Sequence, residues 1–196
     1  MGYIKVKKAA LKVFAQKGFD GTTVKEIATE SGLKPSSIYS HFSSKEELFM
    51  IIWEECMKKA SMSIKPLIDY VGTAEDFDAK EILYKHYNTI ISHFTKNRED
   101  YLFLKQASLF ANAKETVNNE IYSNFMINSR SIEFYAKFFS KLKNENRIID
   151  ESNENLFYTY IAAMLGYLEQ SVIYNIPLDK KFSDRLWEGF WKSIEK

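Results

Sequence analysis

Apolar side chains recur every three or four residues along nearly the whole of this 196-residue chain, and nowhere alternate with polar ones long enough to make a strand. That period commits the chain to helices packed on helices, an all-α fold. Only seven Gly and three Pro interrupt it, so each marks a place where a helix stops or starts.

The first stops and starts come close together. A helix is expected over 4–17, with Val6, Ala10, Val13 and Phe14 on one face, ended by Gly18. Thr23 and Glu26 have the spacing of a capping box, which opens a short second helix carrying Val24, Ile27 and Ala28 inward. Gly32 breaks that helix, and Pro35 suits the first position of a third, expected over 36–42. Ser43 with Glu46 and Ser44 with Glu47 are overlapping boxes that start a fourth helix at 45, running to about 62. Further helices are expected over 74–96, 100–113, 114–144, 153–174 and 179–194.

Charge and composition narrow the functions. The first 50 residues hold eight Lys and no Arg against five acidic residues, so the positive end is the N-terminal one. A net charge of +1 overall argues against an architectural protein that coats nucleic acid. The lone Cys56 allows neither an intramolecular disulfide nor a thiolate metal cluster. No apolar run approaches membrane-spanning length and the first residues are too charged for a signal peptide, so a cytoplasmic protein with no membrane partner is expected. His86 and His93 stand seven apart, about 10 Å along a helix axis, too far to share a metal ion. No phosphate loop, nucleophile elbow or carboxylate pair is present, so no catalytic residue, metal or cofactor is expected.

Two short helices joined at Ser31-Gly32-Leu33 and braced by a longer first helix have the layout of a helix-turn-helix DNA reader. On the third helix Ile38 and Phe42, four apart, make an inward anchor. Ser36, Ser37, Tyr39 and Ser40 are then left to face outward.

These residues resemble the N-terminal domain of the TetR (tetracycline repressor) family of bacterial regulators. The likeness is carried by Gly18-Phe19, Thr22-Thr23-Val24 before Ile27-Ala28, Ser31-Gly32-Leu33, Ile38-Tyr39 with His41-Phe42, and Ser44-Lys45-Glu46-Glu47-Leu48. It implies a DNA-binding domain at 1–49, a connecting helix at 45–63, and a ligand-binding and dimerisation domain over 50–196. It also implies a homodimer on double-stranded operator DNA, responding to a small-molecule effector. Carried over by position, Tyr39 would touch phosphate and bases, Lys45 would pair with a phosphate, and Thr23 and Lys25 would lie against the backbone. Lys34, Pro35, Ser36 and Ser37 would carry much of the base reading, and His41 is a further candidate. Lys34-Pro35-Ser36 stands where the family commonly has Ser or Thr, a basic residue and Gly.

For the rest of the chain the expectations come from pattern alone. Asn128 interrupts an apolar stripe, and a ligand cavity is expected among Tyr87, Ile90, Phe94, Phe103, Phe125, Asn128 and Ile132, suited to an apolar or aromatic effector. Arg130 and Glu133 are expected to pair. Tyr160, Ala163, Met164, Tyr167, Trp187, Phe190 and Trp191 leave more apolar surface than a monomer is expected to cover, which suggests a dimer interface. A repressor released by ligand is the leading reading. An all-α carrier or enzyme with a vestigial DNA-binding motif is the alternative.

Overall fold

The computed structural model describes residues 2–62, 68, 77–113 and 129–196. Helices run α1 (Gly2–Lys17), α2 (Val24–Ser31), α3 (Pro35–Tyr39), α4 (Lys45–Met62), α5 (Ala79–Lys96), α6 (Arg98–Ala113), α7 (Ser129–Asn144), α8 (Asn153–Leu168) and α9 (Lys180–Ile194), with a π-helical turn at Glu169–Ile173. Apart from one antiparallel bridge between Ile148 and Glu195, the described residues contain no strand, and the fold is all-α. They form two compact units, one of Met1–Lys59 with the described part of Asn97–Met126, the other drawn from Ala60–Lys96 and Ile127–Lys196.

In the first unit α1 buries Val6, Ala10, Val13 and Phe14, the face its periodicity marks. Gly18 takes φ of +68°, and its amide closes on the Phe14 carbonyl at 2.8 Å, so Phe19 turns back over the helix end. Phe14, Phe19, Phe49 and Phe103 then meet with ring centroids 5.0 to 6.2 Å apart. Each such pair contributes about 0.5–1.5 kcal/mol beyond the area it buries, and together they join α1, α4 and α6. Phe103 thus belongs to the core of the N-terminal unit.

Two local expectations need correcting. The third helix ends at Tyr39 rather than 42, because the Ser40 hydroxyl donates to the Ser37 carbonyl at 2.8 Å and the His41 and Phe42 amides both fold onto the Ile38 carbonyl. The two overlapping caps resolve into one. Glu47 receives the Ser43 amide and hydroxyl at 2.5 and 2.6 Å, and its own amide donates to the Ser44 hydroxyl at 3.1 Å. Glu46 takes no part in it. Glu47 serves both serines, its carboxylate accepting from Ser43 and its amide donating to Ser44, because the third helical position lies over the cap.

In the second unit α8 packs against α5, α7 and α9, and Leu83, His86, Tyr87, Ile90, Ile91 and Phe94 are buried from α5. Of the expected helices over 74–96 and 114–144, residues 74–76 and 114–128 lie outside the described residues. The helix expected over 153–174 leaves α-geometry at Glu169, where the Tyr174 amide reaches five residues back to the Glu169 carbonyl at 3.1 Å. Glu133 pairs with Lys137 at 2.7 Å, and the side chain of its expected partner Arg130 lies outside the described residues. Asp179 caps α9 by accepting from the Phe182 amide at 2.8 Å.

Most of the expected dimer interface is core of this unit. Tyr160 is 0% exposed and Trp187 2%, and Met164, Tyr167, Phe190 and Trp191 are buried with them, while Ala163 is half-buried. Trp187 has Tyr84, Tyr87 and Trp191 around it at 5.4, 5.6 and 5.9 Å, and Phe190 lies 5.4 Å from Tyr160. The apolar surplus is absorbed within the chain because α5 supplies a facing aromatic stripe.

That core also holds a polar knot. The Tyr160 hydroxyl lies 2.6 Å and the Tyr135 hydroxyl 3.2 Å from His86 Nδ1, and burial holds the imidazole pKa down at about 4. Below about pH 6.5 an unfolded chain protonates this histidine while the folded one does not, so stability falls as pH drops from 6.5 toward 4 and is complete above 6.5. The shift corresponds to roughly 3 kcal/mol. Urea unfolding of the wild type at several pH values should show this loss, and His86→Gln should flatten it in that window; an unchanged slope in the variant would contradict it.

Candidate nucleic-acid interface

The geometry of α2 and α3 follows from three local devices. The Thr23 hydroxyl accepts the Glu26 amide at 3.3 Å while Glu26 takes the Thr23 amide at 2.8 Å, a complete capping box. Lys17, 2.6 Å away, and these Thr23 bonds hold the Glu26 pKa down at about 2. At the other end of α2, Gly32 takes φ of +64° and the Leu33 amide reaches back to the Ala28 carbonyl at 2.9 Å, which turns the chain sharply into α3. Lys34 caps α3 with extended backbone but no side-chain bond, and Pro35 follows at the first position. Lacking a hydroxyl cap costs about 1 kcal/mol, partly offset by the preset φ of proline.

What α3 shows to solvent is set by what it buries. Ile38 is 2% and Phe42 1% exposed, whereas Tyr39 is 57% exposed. Lys34, Pro35 and Ser36 are exposed and Ser37 is half-buried. The hydroxyls of Ser36, Ser37 and Tyr39 make no hydrogen bond with any described residue. Three uncommitted hydroxyls on one outward surface, held by an apolar underside, form a face able to donate and accept at base edges and phosphates. Thr23 and Lys25 at the start of α2 are exposed as well, and Lys25 makes no ion pair with described residues.

Two candidates behave differently. The His41 ring stands edge-on to Tyr3 at 6.2 Å, and its Nε2 lies 2.8 Å from where a Cβ on Gly2 would be. Tyr3 in turn stacks on Phe42 at 5.0 Å. Although exposed, His41 is thereby packed against the first turn of α1. Lys45, which the resemblance would pair with a phosphate, stands at a helix start, where a cation opposes the helix dipole. Its ammonium instead donates to the Phe19 and Thr22 carbonyls at 2.8 and 2.9 Å and lies 4.1 Å from the Phe19 ring centroid. Its flexible stem reaches the loop between α1 and α2, so those carbonyls and that ring explain the lysine.

The expected ligand-cavity residues are divided. Tyr87, Ile90 and Phe94 are buried in the second unit, where the Tyr87 hydroxyl donates to the Ser183 carbonyl at 3.1 Å. Phe103 is packed in the first unit. Phe125 and Asn128 lie outside the described residues, and of Ile132 only the helical backbone is described. Among the described residues no group of three His, Cys, Asp or Glu side chains is placed to hold a metal, and no helix is long and apolar enough to cross a membrane.

Comparison with known proteins bears on the same segment. Residues 7–50 match the family model described as bacterial regulatory proteins, tetR family. The chain is 30% identical over 100 residues to YerO of Bacillus subtilis, an uncharacterized HTH-type transcriptional regulator, covering 51% of this chain and 33% of that protein. It is 24% identical over 171 residues to IcaR of Staphylococcus aureus strain Newman, a negative transcriptional regulator of the biofilm operon icaADBC, covering 85% of this chain and 83% of that one. The chain thus spans only about a third of YerO's length, but most of IcaR's. Among solved structures, a TetR family transcription regulator from Marinobacter aquaeolei VT8 aligns over 100% of this chain and 96% of its own at TM-score 0.74 and 15% identity. A TetR-like regulator from Rhodococcus sp. RHA1 aligns over 97% and 94% at TM-score 0.72 and 17% identity. At these identities the structural likeness speaks to the fold.

Replacing Lys45 by Met should strand two carbonyls and remove the cation over Phe19, costing about 1–3 kcal/mol. Thermal unfolding followed by circular dichroism should show a melting temperature lowered by several degrees. A variant as stable as wild type would mean that the ammonium spends its time elsewhere.

Proposed function

We propose, from the premise that this chain carries the DNA-binding domain of the tetR-family bacterial regulatory proteins, that it is a ligand-responsive transcriptional repressor acting as a cytoplasmic homodimer on operator DNA. The observation that carries the reading is the outward face of α3, where Ser36, Ser37 and Tyr39 hold uncommitted hydroxyls over the buried anchor Ile38 and Phe42. A helix of this size enters the major groove, where each base pair presents a distinct pattern of donors and acceptors. Lys34 and Lys25 flank it as phosphate contacts. The repressor direction is supported by the likeness to IcaR, a negative regulator. Release follows if an apolar or aromatic effector binds more tightly to a conformer whose two recognition helices no longer fit the operator.

With Tyr160, Trp187 and their neighbours buried, the second copy is assigned to the outer faces of α8 and α9. There Tyr158 is half exposed, Thr159, Ala162, Gly166 and Gly189 are exposed, and a Cβ added at either glycine would meet nothing within 4 Å. Small residues allow two helix pairs to approach closely, and a two-fold dimer matches a palindromic operator.

Selection of duplexes from a random library followed by gel shift tests the DNA reading. The wild type should enrich a defined sequence. Ser36→Ala or Ser37→Ala should change which base pair is preferred, with each affected position worth about 1–3 kcal/mol, whereas Lys25→Ala should weaken all duplexes alike. Binding without sequence preference, or none, would contradict it. For the dimer, Gly189→Arg places a long cation on the open face of α9 without disturbing the protomer. Sedimentation should then shift from dimer to monomer at unchanged helicity; a wild type already monomeric at micromolar concentration would sink the assignment.

A further inference from the structure

α1 and α2 lie side by side in opposite directions, and their charges meet rung by rung. Lys17 pairs with Glu26 and Lys12 with Glu30, each at 2.6 Å, while Lys7, elsewhere on α1, is paired with Glu55. The next rung is different. Lys5 comes out where α2 has already ended, and its Nζ lies 3.6 Å from where a Cβ on Gly32 would be. No acidic residue stands there; the chain has turned at Gly32 and runs on into Lys34 and Pro35, both exposed. The exposed Lys5 makes neither ion pair nor hydrogen bond with any described residue. Lys25 and Thr29 on α2 and Gly32 at its C-cap share an exposed face, since positions three and four apart lie above one another on a helix. Lys25 and Lys5 therefore bracket the two ends of that face, with α3 beginning beside Lys5.

We infer that Lys5 is a DNA-backbone contact, its ammonium meeting a phosphate beside the α2–α3 turn while α3 lies in the major groove. This rests on the DNA-binding reading above and extends it to a residue outside the matched segment 7–50. In a helix-turn-helix the first helix of the pair crosses the phosphate backbone, so a cation at its far end stands where a phosphate passes. Of the α1 lysines, Lys7, Lys12 and Lys17 have intramolecular acids, whereas Lys5 and Lys8 have none among the described residues, and Lys5 is the one that stands beside the turn. A merely solvated lysine, or one resting against the C-terminal carbonyls of α2, is the competing account.

Salt dependence separates them. Fluorescence anisotropy on a duplex selected by the wild type, from about 0.05 to 0.2 M salt, gives the slope of log affinity against log salt, which counts phosphate contacts. Lys5→Met should lower that slope by about one per protomer and weaken binding on the order of tenfold at 0.1 M salt, with the preferred sequence unchanged. Lys12→Met, which removes a lysine already paired with Glu30, should keep the wild-type slope. A wild-type slope in Lys5→Met, whether or not affinity falls, would overturn the inference, as would an equal loss of slope in Lys12→Met. If the wild type selects no duplex at all, the DNA-binding reading itself has failed, a result distinct from either.

Discussion

The anchoring of a five-residue helix by Ile38 and Phe42 is the constraint on which the interface depends. So short a helix has no stability of its own, because its ends leave most backbone groups without helical partners. It exists because two side chains four apart are almost fully removed from water. The same burial fixes its rotation, leaving Ser36, Ser37 and Tyr39 as the residues that face out. Everything around it serves that orientation. Gly32 sets the turn before it, Tyr3 closes over Phe42, and the cap at Ser44 and Glu47 ends the excursion. In the same unit the cluster of Phe14, Phe19, Phe49 and Phe103 ties α1 and α4 to α6.

Charge is sorted on this unit as carefully as apolar area. Surface ion pairs contribute little to stability, so the pairs of Lys12 and Lys17 with α2 acids matter mainly for what they neutralise. Lysines engaged within the protein are electrostatically quiet toward a polyanion. Lys5, Lys8, Lys25 and Lys34, without such partners among the described residues, are left to attract one. A chain of net charge +1 can thus hold a local positive face.

Much of this was legible in the sequence, wherever the signal was local. The inward face of α1, the capping box of Thr23 with Glu26, the turn at Gly32 and the buried pair of Ile38 with Phe42 all follow from spacing and from the backbone needs of single residues. The contacts of Lys45 with the Phe19 and Thr22 carbonyls were not legible, because a long side chain spans to a loop whose path no local pattern reveals. The aromatic stripes of α8 and α9 were misassigned for a related reason: periodicity marks a buried face but does not say whether the covering surface comes from the same chain or another. Phe103 was grouped with Tyr87 and Phe94 by composition, yet it packs with Phe14 and Phe49. The rung at Lys5 escaped notice because it needs the antiparallel placement of α1 and α2.

The central claim is that the outward face of α3 sits in the major groove. The most direct test replaces thymines of a selected duplex by 5-bromouracil, whose bromine takes the place of the thymine methyl in that groove, and irradiates the complex. The account predicts a crosslinked peptide spanning 35–45 with the adduct at Tyr39. Adducts found only outside that peptide, on a duplex that the protein binds with sequence preference, would contradict it.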